Sequence, residues 1–172
     1  ISLTVFKTKF YFNIPIKKRK ENKMQAQAKT LKDDAMLLGF IYQNARMGIT
    51  GINQIRSSVD DDKFMELINR QYSKYDEFVT KSAEELRSLG EKPEDISPMA
   101  KVGSFLSSKY NTAVDSSTSH IAEMMIQGTE MGVTKLLQKL NSISDCSNKY
   151  RKFAQELIDY ETKSVEDLKA FL

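Results

Sequence analysis

The sequence predicts an all-α protein, a bundle of four amphipathic helices, and three observations support this prediction. From Met24 onward, apolar residues recur at steps of three and four, as they do on the buried face of a helix. The 172 residues include only three prolines and seven glycines, so few positions interrupt a helix. After Met24, no long stretch alternates apolar and polar residues as a strand does.

An acidic turn separates the first two predicted helices. The first helix carries an apolar stripe that runs from Leu38 to Val59. Asp60, Asp61 and Asp62 then supply a turn, an N-cap and acidic first-turn residues for the second helix. This helix should end at Gly90, a C-cap position that is followed by prolines at 93 and 98.

The third helical segment is predicted to run from about Met99 to Leu140, with a break at residues 115–119. The break has the sequence DSSTS, whose side chains compete for backbone hydrogen bonds, so we expect a fresh N-cap before His120. After the loop NSISDCSN, the fourth helix starts at about Lys149 and reaches the end of the sequence. The longer link between the second and third helices allows one crossover connection.

Positive charge is concentrated in residues 1–23, which we assign to a tail that precedes a bundle domain of residues 24–172. The tail holds seven of the 26 Lys and Arg residues and one of the 23 acidic residues, which leaves the domain with a formal net charge of −3. A mildly acidic domain argues against a nucleic-acid-binding face. A single cysteine, Cys146, excludes an internal disulfide and favours a cytoplasmic location.

Three interpretations of the tail remain open: a basic amphipathic anchor for anionic lipid, a disordered arm, and translated upstream DNA. Its apolar residues precede the basic cluster, which is the reverse of a secretory signal, and it is too short to span a membrane. We favour the third interpretation, because KKRKENKM can be encoded almost entirely by purine codons that end in ATG. The ribosome-binding site of an AT-rich bacterial genome has a similar composition.

Glu161 is the most unusual side chain, because it lies within the apolar stripe of the fourth helix. A buried carboxylate costs free energy unless it is paired, hydrogen-bonded, protonated or bound to metal. Two explanations remain open: metal ligation, or hydrogen bonds across the bundle from Tyr42, Tyr75, Gln71 or Lys74. In the third helix, Glu130 becomes a second buried carboxylate if both apolar stripes pack inward.

The order of these segments resembles the ferritin-like superfamily, in particular rubrerythrin-like and uncharacterised bacterial ferritin-like domains. Its second, third and fourth helices are matched by INRQYSKYDEFVTKSAEELRSLG, HIAEMMIQGTEMGVTKLLQKL and FAQELIDYETKSVEDLKAFL, and the likeness covers nearly all of residues 31–172. In active members, a Glu from each of two helices and Glu-x-x-His from each of the other two hold two metal ions. The resemblance therefore implies a four-helix fold and, for active members, iron or manganese.

Most of the liganding positions that the resemblance carries over are occupied by other residues. They fall on Gln71 and Lys74, Glu161 and Ser164, Glu130, and a first-helix position near Tyr42 or Gln43. Only two of the six keep a liganding group, and an ammonium repels a divalent cation. We therefore expect a degenerate, vestigial metal site with no cofactor, and a Lys74–Glu161 ion pair in its place. The alternative is an iron or manganese site made by Glu130, Glu161 and a subunit partner.

The other candidate residues carry weaker signals. His120 is the only histidine and has no cysteine nearby, so we expect it to be exposed or to cap the helix locally. Cys146 lies in a polar loop where Lys149 is its only basic neighbour, so we do not expect a reactive thiol.

The third helix predicts self-association, because MMIQGTEMGVTKLL is apolar around most of its circumference and must bury two faces. Gly128 and Gly132 would let another helix approach closely, and the many methionines either fill the core or form an adaptable partner surface. We expect a non-enzymatic bundle that acts as a homodimer, a larger assembly or a partner-binding module. The alternatives are a ferritin-like metal-binding protein and a membrane-surface or spore-envelope protein that uses the basic tail.

Overall fold

The structure, a computed structural model, describes residues 16–94 and 117–172, and within them every regular element is helical. The α-helices are α1 (Ile16–Ile55), α2 (Asp62–Ser88), α3 (Thr118–Ser142) and α4 (Asn148–Lys169). A single 3-10 turn, Arg56–Ser58, follows α1. The predicted all-α class is confirmed, and the described ranges contain no strand.

The ends of α2 are where the sequence predicted them. Asp61 is the N-cap, and its side chain accepts a hydrogen bond of 2.8 Å from the backbone N–H of Phe64. At the other end, Gly90 has a φ of 81°, which suits a residue without Cβ. The N–H groups of Gly90 and Glu91 donate to carbonyl oxygens of the last turn at 3.0 Å each, which completes a Schellman cap.

The start of α3 also matches the expected cap before His120. Ser117 is the N-cap, and its hydroxyl accepts a hydrogen bond of 3.2 Å from the N–H of His120. Residues 99–114 of this predicted segment, and residues 115 and 116 of the predicted break, lie outside the described residues.

The start of α1 differs from the predicted boundary at Met24. The helix already begins at Ile16, and residues 18–29 form an exposed helical extension. The reason is local, because Lys, Arg, Glu, Gln, Met and Ala favour helix and no Gly or Pro occurs between 16 and 29. Residues 16–23 are therefore helical rather than a disordered tail, and the hypothesis of translated upstream DNA stays a prediction.

Contacts between α1 and α3 show that these helices run antiparallel. Asn44 contacts Gly132, and Asp33 accepts a hydrogen bond from the backbone of Asp145, just beyond α3. The two contacts therefore advance in opposite directions along the two helices.

Aromatic pairs give the same result for α2 and α4. The ring centroids of Phe64 and Phe171 lie 4.9 Å apart, and those of Phe78 and Phe153 lie 5.5 Å apart. Since short turns make α1–α2 and α3–α4 antiparallel hairpins, α2 and α3 run parallel. The C-terminal end of α2 and the N-terminal end of α3 consequently lie at opposite ends of the bundle.

The core lies along the axis of the four helices. Its fully buried side chains come from every helix and include Leu38 and Ile41 of α1, Phe64 of α2, Leu136 of α3 and Leu157 of α4. Among the described helices, none combines the length and the apolar character needed to cross a bilayer.

Candidate functional site

Glu161 lies at the centre of the bundle with only 2% of its surface exposed. It shares the buried face of α4 with Leu157 and Ser164, which explains why the helix carries it inward. Asn44 of α1 donates from Nδ2 to Oε2 at 3.3 Å, and the hydroxyl of Tyr75 in α2 donates to Oε1 at 3.4 Å. Four donors to Glu161 were suggested from the sequence (Tyr42, Tyr75, Gln71 and Lys74), and of these Tyr75 makes the hydrogen bond.

Asn44 is the functional residue that the sequence reasoning missed. It is buried to 4% exposure, and its Nδ2 also approaches the carbonyl oxygen of Gly132 at 3.4 Å. A signal for it existed, because Asn44 lies three residues after Ile41 and four before Gly48, on the same apolar stripe.

Two glycines allow the helices to approach closely around this acid. A Cβ at position 132 would lie 2.9 Å from Asn44 Oδ1 and 3.2 Å from Glu161 Oε1, and one at position 48 would lie 2.6 Å from the Tyr75 ring. Gly132 and Gly48 therefore position the polar groups. The close approach of another helix that we predicted at Gly132 involves α1 and α4 of the same chain, while self-association itself stays a prediction.

Burial sets the protonation state of the central acid. Desolvation raises the pKa of Glu161 from 4.5 to about 8, against the opposing hydrogen bonds from Asn44 and Tyr75. Burial, together with the nearby charge of Glu161, raises the pKa of Tyr75 well above its usual value of 10.0. At neutral pH both groups are therefore predominantly protonated, and the site holds a neutral carboxylic acid.

The predicted Lys74–Glu161 ion pair is wrong. Lys74 Nζ instead binds Glu77 Oε2 at 2.6 Å on the exposed side of α2. The physical reason is solvation, because the ammonium keeps its water and finds a partner one turn away on its own helix.

The remaining positions of the expected metal motif are distributed between the interior and the surface. Ser164 and Gln71 are buried, at 2% and 3% exposure, whereas Glu130 is exposed on α3. Of the two apolar stripes predicted for α3, the one that contains Glu130 does not carry this carboxylate into the core. The structure therefore does not place Glu130 in the buried environment of Glu161.

These residues do not fit the di-metal centre that the resemblance implies. That centre needs about four carboxylates and two imidazoles. Glu161 is surrounded instead by the amide of Asn44 and the phenol of Tyr75. In the two described ranges, no group of three or more His, Cys, Asp or Glu side chains is arranged to hold an ion.

A cavity of about 70 Å³ lies between α1 and α3 and is partly open to the surface. Its walls are mainly apolar and consist largely of methionines and glycines: Met47, Met124, Met125, Met131, Gly48, Gly51, Gly128 and Gly132. Its polar lining includes Asn44, Gln71, Tyr75 and Glu161. The sequence reasoning assigned methionines to the core or to a partner surface and did not predict this cavity.

A second buried carboxylate, Asp34, organises the loop between α3 and α4. It accepts a hydrogen bond of 2.7 Å from the backbone N–H of Ser147 and one of 3.0 Å from the thiol of Cys146. It thus caps α4, since the side chain of Ser147 makes no capping bond of its own. Burial, followed by the contact with Asp34, raises the pKa of Cys146 to about 12, which agrees with the expected unreactive thiol.

His120 remains separate from the central acid. Its side chain is half-buried, and Nδ1 lies 3.9 Å from Glu123 Oε2.

The fold and the site together define the described part of the molecule as an all-α bundle in which the carboxyl group of Glu161 is hydrogen-bonded at the centre. Neither a protein-family model nor a curated protein nor a solved structure matches this chain.

Proposed function

We propose that the chain is a non-enzymatic, ferritin-like helical bundle in which a hydrogen-bonded acid occupies the place of a metal centre. The helix directions support the proposal, because ferritin-like bundles contain one long crossover between parallel neighbours. The single observation that carries it is the set of partners around Glu161, whose carboxyl oxygens are bound by Asn44 and Tyr75.

Proton affinity argues in the same direction. A carboxylic acid must lose its proton before it can ligate a metal. Since the pKa of Glu161 is about 8, protons compete with the metal ion for this side chain at neutral pH. The exposed position of Glu130 provides no second buried carboxylate to lower this cost. The bundle therefore acts by binding a partner rather than by oxidative chemistry.

Metal analysis of the full chain, purified without a histidine tag after exposure to Fe²⁺ or Mn²⁺, tests this proposal. We expect well under one ion per chain, and the same low content in Glu161→Gln and in Glu156→Gln, which replaces an exposed acid of the same helix. One or more ions per chain, lost in Glu161→Gln and Glu130→Gln but retained in Glu156→Gln, would establish the iron- or manganese-binding alternative instead.

We propose that the partner is a second copy of the chain, and the surface of α3 supports this choice. Leu137 is 38% exposed, and Met125, Val133 and Leu140, on the same side of α3, are only half-buried. An additional helix would remove this apolar area from water, which favours association.

Sedimentation equilibrium over a range of concentrations tests self-association. We expect a dimer or larger species, weakened by Leu137→Asp but not by Gln138→Asp, which adds the same charge about 100° further round α3. A monomer at every concentration would contradict the proposal.

The alternative of a membrane-surface or spore-envelope protein depends on the basic tail, residues 1–23, of which the structure describes residues 16–23. Lys18, Lys20 and Lys23 are exposed there, but Met24 is the only large apolar side chain between residues 18 and 29. A surface-bound helix needs an apolar face, which residues 18–29 do not supply, so we expect a chain that begins at Lys18 not to co-sediment with anionic vesicles at physiological salt. Binding that disappears when Lys18, Lys20 and Lys23 are replaced by Gln would favour this alternative.

A further inference from the structure

The cavity between α1 and α3 has the composition of a small-molecule site, a role that self-association does not require. Ligand sites combine apolar walls with a small number of polar groups that fix orientation. Here Met47, Met124, Met125 and Met131 supply flexible apolar walls that can adapt to a ligand. The polar part of the lining comes from all four helices: Asn44, Gln71, Tyr75, Thr129, Lys135 and Glu161.

Gln71 carries the specific signal for a ligand. It is 97% buried, lines the cavity, and its Nε2 has no hydrogen-bond partner. Buried amide N–H groups are nearly always paired, because an unpaired donor loses its bonds to water without replacement. The neighbouring donors of Asn44 and Tyr75 are already bound to Glu161, so Gln71 is the group with unused capacity.

We propose that this cavity binds a small, neutral, largely apolar molecule with one acceptor oxygen, such as a ketone or amide carbonyl, to which Gln71 Nε2 donates a hydrogen bond. The volume of about 70 Å³ limits the enclosed part of the ligand to a few non-hydrogen atoms, with the remainder directed toward the opening.

Charged ligands fit this lining less well. A ligand ammonium would bring no acceptor for Gln71 Nε2 and would have to leave water for a mainly apolar cavity. A ligand carboxylate would carry the same desolvation cost and would place a negative charge near the oxygens of Glu161. Lys135 also lines the cavity, but its side chain is exposed, so pairing with it would offset little of that cost. A neutral carbonyl avoids both costs and satisfies the unpaired donor.

Methionine methyl groups provide a built-in test. The full chain, labelled with ¹³C at its methionine methyls, is titrated with butan-2-one, butan-2-amine and butanoate, three probes of similar size. We expect butan-2-one to shift the signals of Met47, Met124, Met125 and Met131, while the exposed Met24 and Met36 remain unchanged as internal controls. Stronger binding of the amine or of butanoate, or uniform shifts of all methyls, would overturn the proposal.

The variant Gln71→Leu tests the proposed hydrogen bond, with Gln138→Leu on the exposed surface of α3 as the control. We expect butan-2-one to bind roughly fivefold to tenfold more weakly to Gln71→Leu and unchanged to Gln138→Leu. Because the change removes an unpaired buried polar group, the variant should also melt at or above the wild-type temperature. Equal affinity of wild type and Gln71→Leu would refute the assignment of Gln71.

Discussion

Replacing Glu161 by Gln should stabilise the protein at neutral and alkaline pH. The amide has the shape of the protonated acid and can accept the hydrogen bond from Tyr75, but it cannot ionise. Its NH2 group cannot accept the hydrogen bond from Asn44, which adds a cost that does not vary with pH. In the wild type, the carboxyl pKa is about 8 in the folded chain and 4.5 in the unfolded reference. Below pH 4.5 both states are protonated and the acid imposes no ionisation cost. As pH rises from there toward 8, the unfolded chain releases the proton while the folded chain keeps it, so stability falls.

The magnitude follows from the separation of the two pKa values of Glu161. Each pH unit in this interval removes ~1.4 kcal/mol from the free energy of unfolding. The loss relative to acid conditions is thus about 3 kcal/mol at pH 7 and about 5 kcal/mol above pH 8. Glu161→Gln removes this dependence, so its advantage over the wild type should grow with pH and level off above 8.

Urea unfolding followed by far-ultraviolet circular dichroism at pH 5, 7 and 8.5 measures this effect. The difference between wild type and Glu161→Gln isolates position 161, since all other titrating groups are shared. Glu156→Gln serves as the control and should show a difference of only a few tenths of a kcal/mol, because that carboxylate is exposed. A constant difference between wild type and Glu161→Gln at all three pH values would refute the reasoning.

Three further outcomes follow from the packing. Gly48→Ala should lower the free energy of unfolding by about 1–3 kcal/mol, because its Cβ would lie 2.6 Å from the ring of Tyr75. Gly39→Ala is the control in the same thermal melts and should be neutral or stabilising, because the space around its Cβ is open. Asp34→Ala should cost about 1–3 kcal/mol in urea unfolding, because it leaves the backbone N–H at the start of α4 without its 2.7 Å acceptor. Cys146 should react with a disulfide reagent at pH 7 roughly 30- to 60-fold more slowly than in the urea-unfolded chain, since its thiol pKa is raised from 9.0 to about 12 and the smaller thiolate fraction is partly offset by a more nucleophilic thiolate; equal rates would contradict its burial.

The fold was largely predictable because helix periodicity and caps are local properties. The cap at Asp61 and the left-handed residue Gly90 were both correctly predicted from short sequence patterns. The predicted start of α1 was wrong, because the change in composition at Met24 suggested a boundary there. The residues on both sides of Met24 favour helix, so the change in charge does not end the helix, and α1 begins at Ile16.

The centre of the site was only partly predictable. The burial of Glu161 follows from its spacing on α4, but its partners depend on how other helices are rotated against it. Lys74 is adjacent to the true partner Tyr75, and one residue corresponds to a turn of about 100°, enough to direct it to solvent. The cavity depends on interhelical distances that a single sequence does not specify.

The most direct measurement of the central claim is the titration of the Glu161 side-chain carboxyl carbon by NMR in the ¹³C-labelled full chain, with Glu161→Gln used to assign the signal. The account predicts a midpoint near pH 8 and a signal that keeps its width at pH 7 when Mn²⁺ is added. A midpoint near the ordinary value of 4.5, or paramagnetic broadening of this signal at stoichiometric Mn²⁺, would show an ionised metal-binding carboxylate and contradict the account.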